Sequence, residues 1–365
     1  MRFRSAFRTV SVAAALTLPF AVSSCKDQPA PATNSPALPG GGGSTAAFDK
    51  PLVPTGAVKI QLLTNGTSPF WDALGKAVDS EKKNVEGTVD WRAPEPADNN
   101  TQRQLFESSL AANVNGIGVS PIEADAFASV IDAAIEKGVP VITFDSDSAK
   151  SKRLVYIGTN NYEAGKRAGE SAVKMLPGGG SYVAFVGNMS AQNARDRYRG
   201  FQDAVKDHKF TELQPPFEDN KDVGRARQNV AEAVTKFGDK INLLVGLYSY
   251  NGPAIVDEAV KSNIRAKTKI VCFDVEPKTR ENLEKGLVDV TIVQKPYEFG
   301  RVSTKLLYLI NRKGFKAAMD ELKPELETQG MKVEGANIDT GVDVVTPDNA
   351  APFLQRMREM GLTST

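Results

Sequence analysis

Phe70 and Trp71 stand side by side in TNGTSPFWDAL, directly after the apolar run Val58–Leu63. Asp145 and Asp274 each follow a Phe, in TFDSD and CFDVE, at the end of an apolar run. Arg195 sits in NARDRYRG with Asp196 and Arg197 beside it, and Gln294 closes VTIVQ. These residue types suit non-covalent capture of a polyhydroxylated molecule. Its axial hydrogens present apolar patches to a ring face, while its hydroxyls both donate and accept. An ionised carboxylate accepts hydroxyl protons and Arg donates a fork of N–H groups. A charge-assisted hydrogen bond contributes about 1.5–3 kcal/mol net, and an aromatic face adds about 0.5–1.5 kcal/mol beyond its area. A few of each, less ordering costs, reach the roughly −8 kcal/mol of micromolar affinity. Such a site, with Asp145, Asp274 and Glu218 against Arg195, is net acidic and prefers a neutral polyol.

Other chemistries lack their residues. The single histidine, His208 in VKDHKF, lies on a polar stretch away from these runs. A His-based triad or zinc site is therefore excluded. No GxSxG, GxGxxG, GxxxxGK[ST] or DxDxDG pattern occurs. No cofactor and no metal are expected. Cys272, in an apolar run, reads as a small core residue. A net charge of +1 over 365 residues gives no field for nucleic acid. A metal-free enzyme using Asp145 and Asp274 as an acid–base pair stays open.

The elements that must hold these residues alternate. GIGVSPIEADAFASVIDAAIEKGVPVITFDSD contains a short buried strand at 117–119. Phe127, Val130, Ile131, Ala134 and Ile135 then mark one helix face, and Val139–Phe144 forms the next strand. The rhythm recurs at SYVAFVGNMSAQNARDRYRGFQDAV, INLLVGLYSYNGPAIVDEAV and TKIVCFDVEPKTRENLEKG. Parallel sheets covered on both faces follow, in an α/β chain of two similar halves with a crossing in SKRLVYIGTNNYEAG. Ligands bind beyond the carboxyl ends of such strands, where all the residues above fall. Ser68-Pro69 reads as helix N-cap and first helical position, so Phe70 and Trp71 are expected to face a crevice rather than the core.

Residues 1–25 read as a processing segment: Arg2, Arg4 and Arg8, a short apolar run, then Val22-Ser23-Ser24-Cys25. That ending resembles a bacterial lipobox, with Cys25 as the lipidated residue, and export is expected in any case. Residues 26–56, rich in Pro, Gly, Ala and Ser, read as a flexible tether.

SPFW, GIGVSP, GVPVITFDSD, YIGTNNYEAG, NARDRYRGF, LYSYNGPAI, CFD and TIVQKPYEFG together resemble the ribose/galactose type of periplasmic sugar-binding protein, the solute receptors of ABC importers. The resemblance runs from Val58 to about Arg312. It implies two Rossmann-like lobes, each a parallel sheet with helices on both faces, joined by a three-crossing hinge that closes on a sugar. The first lobe would hold 57–158 plus about 295–335, and the second 159–294 plus about 336–365. The family's stacking aromatics fall on Phe70 and Trp71, its carboxylates on Asp145 and Asp274, its Arg on Arg195 and its Gln on Gln294. The pattern departs at Ser68, where ribose binders have Asn, and at Ser146, with Asp147 following. Ser120 and Tyr248 replace strand-end Asn residues, and Glu218 replaces an aromatic one. These departures point away from ribose to another neutral pentose or hexose. The implied partners are the sugar, a membrane permease and a membrane reached through a lipid anchor alone. A monomer is expected, and a periplasmic or cell-surface location. The rival roles are a sensing subunit for a chemoreceptor or sensor kinase and the carboxylate enzyme. The segment around 313–337 is longer than ribose binders need and receives no function.

Overall fold

The computed structural model describes residues 45–365; the processing segment, Cys25 and the first part of the tether lie outside them. Five strands open the chain: β1 (Val58–Leu63), β2 (Gly87–Arg92), β3 (Gly116–Val119), β4 (Val141–Phe144) and β5 (Tyr156–Gly158). They pair in parallel in the spatial order β2-β1-β3-β4-β5. Six more follow: β6 (Gly180–Val186), β7 (Phe210–Glu212), β8 (Phe217–Glu218), β9 (Leu243–Gly246), β10 (Lys269–Phe273) and β11 (Val290–Val293). Their order, β7-β6-β9-β10-β11 with β8 also on β6, repeats the first. Both are doubly wound sheets, whose ligand crevice lies at the carboxyl ends beside the first and third strands. The two-lobe α/β fold is thus as expected.

Each sheet gains an edge from the chain's last third. β12 (Lys332–Glu334) and β13 (Asn337–Asp339) extend the first sheet, and β14 (Asp343–Val345) the second. β12 on β13 and β14 on β11 are antiparallel, so each sheet is mixed at one edge. The chain changes sheet at 159–160, 294–295 and 340–342. β13 belongs to the first sheet, a few residues beyond the expected division at about 335.

The central strands are apolar and buried along their whole length, as parallel strands covered on both faces must be. Helices Phe70–Glu81 and Pro296–Lys313 cover one face of the first sheet, and Asn99–Ala111 and Ala128–Glu136 cover the other. The second sheet is covered by Asn161–Met175 and Gln192–Val205 on one face. Val223–Phe237, Asn251–Lys261 and Pro347–Glu359 pack on the opposite face.

Two expectations about the margins change. The end of the expected tether is not loose. Phe48 is fully buried against Ala318 and Leu322 of helix Phe315–Thr328. Arg312 Nη1 donates to Val53 O at 2.8 Å and Val53 N to Asn311 O at 3.0 Å. One buried aromatic and these two hydrogen bonds hold the stretch against the first lobe. Phe48's partners belong to the segment without an expected function, which forms that amphipathic helix and then β12.

Candidate functional site

The carboxyl ends of both sheets border one cavity of about 240 Å³. Asn65, Ser68, Phe70, Trp71 and Asp145 line it from the first lobe. Asn193, Arg197, Lys221, Tyr248, Asp274 and Glu276 line it from the second, and Gln294 from the second crossing.

Phe70 and Trp71 do two jobs. They meet edge to face at 4.8 Å, and Trp71 meets Phe144 in the same way at 5.9 Å. At 6% and 3% exposure they are members of the first-lobe core, contrary to the expectation that they face the crevice instead of the core. Both also border the cavity. The helix starts one residue later than expected, with Pro69 at the N-cap and no side-chain cap, while Trp71 N donates to Ser68 O at 3.0 Å.

Asp145 and Asp274 are built alike. Both adopt left-handed backbone, with φ of 58° and 62°, a conformation Asp tolerates better than most residues. Turning the chain there aims each carboxylate across the strand ends. Asn65 Nδ2 and Ser120 Oγ donate to Asp145 Oδ2 at 3.1 and 2.9 Å, and Oδ1 has no donor among the described residues. Asp274 instead accepts Gln294 N on Oδ1 at 2.9 Å and Gln294 Nε2 on Oδ2 at 3.0 Å. Burial raises the pKa of both, that of Asp274 to about 7, with Arg197 opposing.

The arginine is Arg197, which corrects Arg195. Arg197 Nε donates to Asn161 Oδ1 and Nη1 to Leu247 O, both at 2.8 Å, and Nη2 donates to Gln294 Oε1. Its guanidinium lies 4.6 Å from the Phe273 ring centre. Arg195 turns back onto the preceding loop, donating to Met189 O and Ser190 O at 3.0 and 2.6 Å. Helical period explains the choice. Asn193, Arg197, Phe201 and Val205 recur every four residues on the buried face, and Arg195 lies off it. Arg197 reaches so deep because its helix touches Asn161–Met175 through backbone. A Cβ on Gly165 would stand 1.9 Å from Arg197 O.

Three further expectations need correction. Ser120 is fully buried behind Asp145 and lends it one hydrogen bond. Asp147 faces inward to Arg153, with Nε–Oδ1 at 2.6 Å and Nη2–Oδ2 at 2.7 Å, and it also accepts Thr143 Oγ1. Buried Arg demands such a partner. Glu218 is exposed and accepts Met189 N at 2.9 Å, outside the cavity lining. Tyr248 does line the cavity, its hydroxyl donating to Asn193 Oδ1 at 3.1 Å.

Lys221, Asn65, Asn193 and Glu276 were not singled out by residue type. Asn193 was legible through its spacing to Phe201, but Lys221 carried no local signal. Lys221 Nζ crosses the cavity to Asn65 O at 2.9 Å. Burial pulls its ammonium down to about 8, with Asp145 and Asp219 opposing. Ser249 Oγ donates to Glu276 Oε1 at 2.8 Å, and burial raises that carboxyl. Three carboxyls thus face two cations, a different set from the expected one. Among the described residues no group of three or more His, Cys, Asp or Glu could hold a metal, and no helix is long and apolar enough to cross a membrane.

The profile described as periplasmic binding protein domain matches residues 62–314. The chain is 23% identical over 313 residues to a xylose/arabinose-binding protein of Sulfolobus acidocaldarius, covering 81% of this chain and 72% of that one. It is 23% identical over 275 residues to the D-allose-binding periplasmic protein of Escherichia coli, covering 73% and 87%. A solute-binding protein of an ABC transporter from Burkholderia graminis, solved with D-arabinose, superimposes with a TM-score of 0.70 at 25% identity, covering 81% and 97%.

Proposed function

From the premise that this chain belongs to the periplasmic binding protein family, we propose that it captures a neutral pentose or hexose between its lobes and delivers it to an ABC import permease. The observation that carries this is the unpaired Oδ1 of Asp145. Asp145 lines one cavity with Phe70 and Trp71 and, from the other lobe, Arg197 and Asn193. An acceptor without a donor beside aromatic rings suits a hydroxyl on an apolar ring. The relatives named for xylose, arabinose and allose support a sugar as the guest.

Binding needs no covalent step. Contacts made by both lobes to one guest favour the closed arrangement over the open one by their differential free energy. The three crossings at 159–160, 294–295 and 340–342 are where rotation would be absorbed. Gln294, at the second crossing, ties Asp274 to Arg197, so the guest's second-lobe contacts and the hinge share one hydrogen-bonded unit. A permease would recognise the closed form. We assign export to residues 1–25 and lipidation to Cys25, which would tether the receptor to a membrane.

Calorimetry with D-xylose, D-arabinose, D-ribose, D-allose and D-galactose tests this. At a hundredfold excess over Kd the expected stabilisation is about 2.7 kcal/mol. Binding of none of these neutral sugars would remove the proposal.

A further inference from the structure

The turn after β8 is strained for the sake of one side chain. Asn220 and Lys221, both non-glycine, have φ of 54° and 67°, a pair of left-handed residues that costs energy. Asp219, 1% exposed, holds the turn, accepting Lys221 N at 2.8 Å, Tyr250 Oη at 2.7 Å and Asn251 Nδ2 at 2.9 Å. Asn220 N donates to Gly187 O at 2.7 Å. The result is to send the half-buried Lys221 across the cavity to the first lobe.

There the ammonium is under-used. It has three N–H donors, yet its one hydrogen bond among the described residues is to Asn65 O, and no carboxylate pairs with it. Asn65 also donates to Asp145 Oδ2, so the lysine and the aspartate converge on one residue. A donor with spare protons therefore stands beside an acceptor with a spare oxygen, both facing the same cavity.

We propose that Lys221 and Asp145 read two adjacent hydroxyls of the guest, making Lys221 a specificity-determining residue and the ligand class a sugar with a vicinal diol against the first-lobe wall. This rests on the sugar-binding reading above. One hydroxyl donates to Asp145 Oδ1, and its neighbour accepts from Lys221 Nζ. Each hydroxyl keeps its other capacity for Asn65 or solvent. The rival role is a latch: the Lys221–Asn65 bond joins the lobes whatever the guest.

The test is a set of double-mutant cycles by calorimetry, using whichever of D-xylose, D-arabinose or D-allose binds tightest and its monodeoxy analogues. Lys221→Met should weaken the parent sugar at least about tenfold and leave one deoxy analogue no weaker than it is for the wild type. Asp145→Asn should show the same insensitivity to the deoxy analogue of the neighbouring carbon. Lys221→Leu, which also removes the donor, carries the same cycle if Lys221→Met does not fold. Unchanged affinity in the lysine variants, or equal losses for every analogue, would overturn the proposal, the second outcome marking a latch. If the wild type binds none of the three sugars, the functional reading falls first and this one with it. If it binds but the cycles show no coupling, only this one falls.

Discussion

Asp145 and Asp274 occupy the same place in the two lobes and are held by the same backbone. Asp145 N donates to Ile157 O at 3.1 Å, and Asp274 N to Ile292 O at 2.8 Å. Tyr156 Oη caps the Asp145 carbonyl and Thr291 Oγ1 the Asp274 carbonyl, each at 2.8 Å. Their side chains then diverge. Asp274 has a donor on each oxygen, both from Gln294 at the hinge, while Asp145 keeps one oxygen open. The strand-end turn supplies a poised carboxylate in either lobe, and the neighbouring element decides whether it serves the guest or the crossing. The second-lobe wall is thus pre-assembled around Arg197, Gln294 and Asp274. The first-lobe wall is an aromatic core edge with a partly unsatisfied acid.

Substitutions can break that contrast. Trp71→Ala should have the largest effect, a loss of about 3–5 kcal/mol in urea unfolding, because the ring belongs to the first-lobe core. A variant that melts as the wild type does and loses only sugar binding would make Trp71 a cleft residue alone. The paired changes Asp145→Asn and Asp274→Asn come next. The first should weaken sugar binding by about 1.5–3 kcal/mol, with little change in stability. The second should cost about 1–3 kcal/mol of stability, since an amide cannot accept both Gln294 donors. Calorimetry and unfolding on both variants would show reversed effects if the two carboxylates had exchanged roles.

The pH dependence is a separate signature. Asp274 has its folded pKa raised to about 7, above its unfolded value, so the folded state binds the extra proton. Its contribution to stability is fully present below about pH 4 and is lost as pH rises through about 7. Melting temperatures of the ligand-free protein should therefore show a downward component over that range that Asp274→Asn removes. An unchanged slope in the variant would place the titration elsewhere. The smallest effects belong to Arg195→Ala and Glu218→Ala, each within about 0.5 kcal/mol of wild-type stability and without effect on sugar affinity. A binding defect in either would return it to the site.

The alternation of apolar runs and helical faces, the Phe-Asp pairs closing two of those runs, and the aromatic pair at a helix start were legible from Val58 to Gln294. Those features arise from residues a few positions apart, and backbone geometry converts them directly into strands, helices and turns. Selection between near neighbours was decided in three dimensions. Arg197 was chosen over Arg195 by which helix face meets the glycine-lined neighbour. Asp147 was claimed by Arg153, which also donates to Asn337 on β13, and Phe48 found its seat on a helix more than 250 residues later. Lys221 and Asn65 lie 156 positions apart, so no window of sequence contains both. The chain's own pattern determined where carboxylates and rings could gather. Only the meeting of two lobes decided which donors face them, because such contacts depend on distances that local pattern does not encode.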